Sequence, residues 1–264
     1  MEERFQEKLN SLPKELLPYK KNIEATKQIY IPIELKKAKD ISLTTSKVGG
    51  YPYLPMDMEY PIGKDGVDLN FLAQINFAEM PPLQNYPTHG ILQFYIDYKM
   101  NIDYDDALNS NIEVIYHETI EQSYQTQFPK LDEIREDEAY LSPIYNNCEF
   151  KMIFCSPEYE AVGYSDFRFD EIEITEDSAR NAYYKDSLSS SGHKVGGYAF
   201  FAQADPREYK WDKLGDYTHL LFQLDSDDKN NIMWGDVGVG NFFIRPQDLK
   251  SRDFSKVLFN WDCY

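Results

Sequence analysis

The stretch KVGGY at residues 47–51 occurs a second time, unchanged, at residues 194–198. Two further pairs follow in the same order and at nearly the same separation: LAQIN (72–76) with LFQLD (221–225), and GILQFYI (90–96) with GVGNFFI (238–244). Three matches in register indicate a duplicated unit. The runs are short, β-branched and aromatic, and Gly, Pro, Asn and Asp separate them, which is typical of strands.

Alternation within the repeated strands places polar side chains on one face. Gln74 and Asn76 share a face in the first copy, as Gln223 and Asp225 do in the second. A buried amide needs a hydrogen-bond partner, so these side chains either tie neighbouring strands together or line a cleft. The glycine pairs favour tight turns into strands, because glycine adopts positive φ without steric cost.

The predicted fold class is α+β, mainly antiparallel β, with an internal duplication of a β-rich unit and a helical N-terminal segment. We expect one compact body over 1–264, made of four parts: the helical segment (1–35, its second helix ending near Ile31-Pro32), the first repeat core (41–98), an acidic middle region (99–187) and the second repeat core (188–264). Helices are also predicted near Glu176–Ser187 and Pro246–Ser251. Further strands are predicted at Ile41–Thr45, Ile112–Thr119, Phe150–Cys155, Ile172–Ile174, Tyr198–Gln203 and Val257–Cys263.

The charge is strongly acidic and unevenly distributed. The 264 residues carry 45 acidic and 27 basic side chains, a net charge of −18, and residues 97–187 alone hold 22 acids against 7 bases. Nucleic-acid binding is therefore not expected, because phosphate contacts need clustered Lys and Arg. An acidic surface does suit a basic protein partner, although a solvated, solubilising loop explains the same pattern.

The location is predicted from cysteine content and hydropathy. Three cysteines, Cys148, Cys155 and Cys263, are a sparse and odd set that favours a reducing cytosol. No apolar run approaches the roughly 20 residues that a membrane span needs. We expect a cytoplasmic protein without a membrane partner; its oligomeric state stays open.

The longer motifs resemble a known family. SKVGGYPYLP (46–55), FLAQINFAEMPP (71–82), LLFQLDSDD (220–228) and the closing FSKVLFNWDCY (254–264) are similar to the YwqG-like family of bacterial domains of unknown function. The resemblance runs from about Ser46 to Tyr264 and is weaker through the acidic middle. It implies a mainly β, cytoplasmic α+β protein and no established activity.

No catalytic motif is present, and two kinds of site remain as hypotheses. The loop 225–236 is rich in Asp and Asn, so Asp225, Asp227 and Asp236 are candidate ligands for Ca²⁺, which prefers oxygen donors; an Asx-rich hairpin turn explains the loop equally well. A groove for a neutral ligand would use these side chains: Gln74, Asn76, Gln223, Tyr51, Tyr198 and Trp234.

Two functions follow from these features. The first is a binding protein, immunity-like, that engages a basic partner through its acidic surface. The alternative is a metal-dependent enzyme or a small-ligand binder with a cleft between the two repeats, since clefts between units are favoured ligand sites. No cofactor is firmly implied.

Overall fold

Strands dominate the computed structural model, which describes residues 1–100, 108, 110–185, 188 and 191–264. The strands of these residues are β1 (Gln28–Lys36), β2 (Lys47–Gly49), β3 (Asn70–Asn76), β4 (Ile91–Ile96), β5 (Ile112–His117), β6 (Glu149–Phe154), β7 (Glu158–Glu160), β8 (Lys194–Gly196), β9 (His219–Asp225), β10 (Val239–Ile244) and β11 (Leu258–Asp262). The helices are α1 (Glu2–Asn10), α2 (Lys20–Ala25), α3 (Pro129–Glu136), α4 (Asp177–Lys185), α5 (Pro206–Tyr209), α6 (Trp211–Leu214) and α7 (Pro246–Ser251).

All described strands join one antiparallel sheet that curves into a nearly closed barrel. Its order is β11-β10-β9-β8-β1-β6-β2-β3-β4-β5, and β7 pairs with β1. Read outward from the central β1–β6 pair, β8 to β11 follow one another on one side, and β2 to β5 on the other. Lys47 pairs with Gln74 and Lys194 with Gln223 at corresponding positions.

The main core fills the space inside the curved sheet. Phe94 of β4 contacts Phe222 of β9 and Phe242 of β10, with ring centroids 5.0 and 4.7 Å apart. Alternating apolar residues of both sets of strands therefore meet in a single core. A second buried cluster joins α1 and α2 to residues 161–183.

Several predicted elements are confirmed and others are corrected. The strands around LAQIN, GILQFYI, LFQLD and GVGNFFI form as β3, β4, β9 and β10. The helical N-terminal segment ends at Ala25 and not near Ile31-Pro32, because residues 28–36 form β1. Pro32 is tolerated at the point where β1 changes its partner from β8 to β6.

The remaining corrections concern strand boundaries and the middle region. Ile41–Thr45 and Tyr198–Gln203 are not strands, and Ile172 lies in a 3-10 helix. The acidic middle region (99–187) is part of the same sheet, because it supplies β5, β6 and β7. Its acidic run Asp103-Tyr104-Asp105-Asp106 lies outside the described residues.

Candidate functional site

The two repeated glutamines are buried structural ties. The Gln74 Oε1 atom accepts a hydrogen bond from the backbone N–H of Tyr53 at 2.9 Å, and the Gln223 Oε1 atom accepts one from that of Phe200 at 2.8 Å. Each amide nitrogen donates to a backbone carbonyl of the segment before the KVGGY motif. These contacts tie β3 and β9 to the segments immediately before and after β2 and β8.

Two buried lysines complete the match between the motifs. The Nζ atom of Lys47 lies 2.8 Å from Glu149 Oε1, and that of Lys194 lies 2.9 Å from both carboxylate oxygens of Glu160. Glu160 also accepts a hydrogen bond from the Tyr198 backbone N–H. Burial lowers the pKa of both lysines and raises the pKa of Glu160.

The structure separates the other residues of the predicted neutral-ligand groove. Trp234 is fully buried in the main core, and Tyr198 is buried with its hydroxyl bonded to a backbone carbonyl. Asn76 caps the short 3-10 helix that follows β3, where its Oδ1 accepts from the Ala78 N–H. Only Tyr51 among the aromatic three is exposed, so these residues do not form one stacking surface.

The predicted metal loop is held by its own hydrogen bonds. The Asp225 carboxylate accepts from the backbone of Gly192 and Ser226, and Asp227 accepts from Asn230 and lies 3.3 Å from His193 Nε2. Asp236 is exposed at the far end of the loop. Within the described residues, no group of three or more His, Cys, Asp or Glu side chains is arranged to hold a metal ion.

A cavity lies elsewhere, at the gap between the two ends of the sheet. A cavity of about 470 Å³, here called the seam cavity, lies between β5 and the segment that leads into β11. Its apolar wall includes Ile112, Val114, Phe254 and Val257. Side chains bridge the gap beside it: Trp261 Nε1 donates to the Met100 carbonyl at 3.1 Å, and the rings of Tyr116 and Phe254 are 5.3 Å apart.

The polar lining of the seam cavity is mainly cationic. Its bases are Lys64, Lys213, Arg245 and Lys256, and its acids are Glu113 and Asp216. Arg245 is paired with Asp248 and Lys64 donates to the Leu108 carbonyl. Lys213 and Lys256 are exposed, and neither has a carboxylate oxygen within 4.0 Å among residues that the structure describes. In a chain with a net charge of −18, this lining attracts anions.

Burial within the cavity acts on Glu113. Burial raises the pKa of this carboxyl above its usual value, and the nearby Lys64 ammonium opposes only part of that rise.

Sequence reasoning missed the seam cavity because its residues come from segments far apart in the chain. Lys64 precedes β3, Glu113 lies in β5, Lys213 in α6 and Lys256 before β11. One local signal was available: residues 245–256 carry four bases against two acids in a strongly acidic chain. The residues predicted for a ligand site are not part of the lining of this cavity: Gln74, Asn76, Gln223, Tyr51, Tyr198 and Trp234.

Comparison with known proteins gives a family and no activity. A family model described as a domain of unknown function (DUF1963) matches residues 46–263. A search of curated proteins found no match. Within the described ranges, every helix is too short or too polar to cross a membrane.

Proposed function

The chain belongs to the DUF1963 family, and we propose that its seam cavity binds a small anionic molecule that also carries an apolar part. The observation behind this proposal is a pair of lysines, Lys213 and Lys256, that have no ion-pair partner among the described residues and lie beside an apolar wall in a cavity of about 470 Å³. Ligand pockets typically measure about 300–1,000 Å³ and combine an apolar lining with a few polar groups. This is the small-ligand alternative of the two predicted functions.

The arrangement divides the ligand into two ends. Lys213 and Lys256 would hold a carboxylate or phosphate group, because ammonium groups bind such anions as point charges. Val114, Phe254 and Val257 would hold the apolar end and remove it from water. Neither the lysines nor the apolar wall would bind both ends of the ligand alone.

The test uses three probes that separate the two ends of the ligand. Octyl phosphate carries both an anion and an alkyl chain, inorganic phosphate carries the anion alone, and octanol carries the chain alone. A probe at ten times its Kd stabilises the folded state by about 1.4 kcal/mol, which raises the Tm of a domain of this size by about 3 °C. We expect octyl phosphate to give the largest shift at equal concentration.

A charge-matched pair of variants locates the binding. Lys213→Met combined with Lys256→Met should weaken octyl phosphate binding at least about tenfold, the equivalent of about 1.4 kcal/mol. Lys21→Met combined with Lys39→Met removes the same charge at exposed positions outside the cavity and should leave the Kd within about twofold. Equal binding by both double variants, or no saturable binding of any probe, would refute the proposal.

We further propose that the two halves of the sheet descend from one duplicated unit. The matched ties Gln74–Tyr53 and Gln223–Phe200 support this, as does the repeated lysine–glutamate pair. We also propose that the chain is a YwqG-like member of its family and acts in the cytoplasm. The motifs at 46–55 and 254–264 support the first point, and the sparse cysteines support the second.

A further inference from the structure

A cluster of exposed apolar side chains lies at one end of the sheet, away from the seam cavity. We call it the loop face: Tyr145, Met233, Val237 and Tyr264. All four are among the fourteen large hydrophobic side chains that are exposed in the described residues. Single exposed hydrophobics need no explanation, but a contiguous group of this kind marks interaction surfaces.

Backbone contacts show that the loop face is contiguous. Ile144 and Ile232 form an antiparallel bridge, and both side chains point into the core. Tyr145 and Met233, the next residues along, therefore both point outward as diagonal neighbours across the bridge, a separation of about 7–8 Å that long side chains can span. The Val237 N–H lies 3.3 Å from the Met233 sulfur, and the Tyr264 N–H donates to the Asp236 carbonyl at 3.0 Å, which brings the other two side chains to the same surface.

Backbone strain provides a second observation at the same place. Val237 has a φ of +52°, which is unfavourable for a β-branched residue, and its side chain is half exposed. Because the side chain is not buried in the core, packing does not offset the free-energy cost of this strain. Strained residues of this kind concentrate at functional surfaces, where the cost is retained for what the side chain presents.

The charges around the loop face indicate the partner. Asp228 and Asp236 are exposed at its border, and neither of them forms an ion pair within the described part of the chain. Residues 228–237 contain one base, Lys229, and two acids, Asp228 and Asp236, so the border is acidic. We propose that the loop face binds a basic polypeptide segment whose apolar side chains contact Tyr145 and Met233 while its lysines or arginines face the acidic border.

This proposal is independent of the seam cavity and makes the predicted basic partner specific. An acidic surface alone attracts cations without selecting among them. An apolar centre with a charged border resembles a protein interface, in which buried aromatic and methionine side chains supply most of the affinity.

The experiment measures the binding of a labelled peptide in which lysine alternates with leucine, by fluorescence anisotropy at about 150 mM salt, where long-range attraction is screened. Tyr145→Ser combined with Met233→Ser should weaken binding at least about tenfold. Met56→Ser combined with Tyr209→Ser removes comparable exposed apolar side chains elsewhere and should leave the Kd within about twofold. Because all four side chains are exposed, each double variant should keep the circular dichroism of the native protein.

Charge variants and the oligomeric state complete the test. Asp228→Asn combined with Asp236→Asn should weaken binding more than Asp57→Asn combined with Glu59→Gln, which removes the same charge at exposed positions outside the loop face. Equal effects of the two charge variants, or of the two apolar variants, would show nonspecific attraction and overturn the proposal. A dimer in analytical ultracentrifugation that Tyr145→Ser abolishes would assign the face to a second copy of this chain instead, and no binding of the peptide would also overturn it.

Discussion

Removal of Lys194 should cost far more stability than removal of Lys47, although the two residues occupy corresponding positions. The side chains of Lys194 and Glu160 are 1% and 5% exposed, so Lys194→Met leaves a buried carboxylate without its counter-charge. Breaking a buried pair in this way typically costs about 3–5 kcal/mol. In the other half, Lys47 is also buried but Glu149 is 29% exposed, so water can solvate the carboxylate that Lys47→Met leaves behind. We expect a cost of about 1–2 kcal/mol there.

Urea denaturation at neutral pH, followed by tryptophan fluorescence, measures the difference. Both variants should keep the slope of the wild-type transition, and the Lys194→Met midpoint should fall by at least about twice as much as the Lys47→Met midpoint. Adding Glu160→Gln to Lys194→Met removes the buried charge and should restore about 2 kcal/mol. Equal losses in the two single variants, or no recovery in the double variant, would refute the electrostatic explanation and leave only lost packing.

The pH dependence of stability tests the same prediction independently. Burial raises the pKa of Glu160 in the folded state above the ordinary 4.5, so the folded state binds more protons than the unfolded state between these two values. The free energy of unfolding that depends on this group therefore increases as the pH falls through that window. The Lys194 ammonium lowers the pKa of Glu160, so in Lys194→Met this carboxyl takes up a proton at a higher pH than in the wild type. The deficit of the variant relative to wild type should therefore shrink as the pH falls from about pH 7 to about pH 5.

Two further predictions concern single positions. Burial lowers the pKa of His117 to about 4, below the ordinary 6.5 of the unfolded chain, so the free energy of unfolding falls as the pH drops through this window. In urea denaturation, His117→Gln should reduce the loss of stability between about pH 7 and pH 5 by about 1–2 kcal/mol. An unchanged loss would contradict this. Gly197→Ala should destabilise the protein by more than about 2 kcal/mol, because φ is +72° and the new Cβ would clash with Glu160 Oε1. Gly192→Ala, with φ of +93° and open space around it, should cost about 1 kcal/mol. Thermal unfolding compares the two variants, and equal costs would contradict the steric argument.

Alternating strands were predictable from the sequence because both their pattern and their environment are simple. β3, β4, β9 and β10 line a core made by residues of the same kind, so their apolar positions alternate except at one register shift in each pair, next to Ala73 in β3 and Phe243 in β10. The segment Tyr198–Gln203 has the same composition and is no strand. The Phe200 N–H donates to the Gln223 side chain and not to a neighbouring backbone, so an amide replaces the ladder. Amino-acid composition does not show that a side-chain amide takes the place of a backbone hydrogen-bond partner here.

The candidate site was not predictable because it arises from closure of the sheet. The sequence indicated two related halves but not which edges would approach each other. β5 and β11 are the ends of the sheet path, separated by about half the chain, and their side chains meet only when the sheet curves. Likewise, the charged residues Glu149 and Glu160 belonged to an apparently separate acidic region, and pairing with buried lysines of the repeats places them in the framework.

The seam also determines where a bound molecule would stabilise this fold most. In the described residues, backbone hydrogen bonds join every neighbouring pair along the sheet path, whereas side chains join its two ends. The Arg252–Glu118 ion pair across the gap is exposed, and such pairs contribute at most about 1 kcal/mol. Full backbone pairing of β5 with β11 would stabilise the barrel but remove the space between them. The open seam therefore leaves two sheet edges that a ligand can bridge, and a ligand bound to Lys256 on one side and Val114 on the other adds its binding free energy to the weakest closure of the sheet.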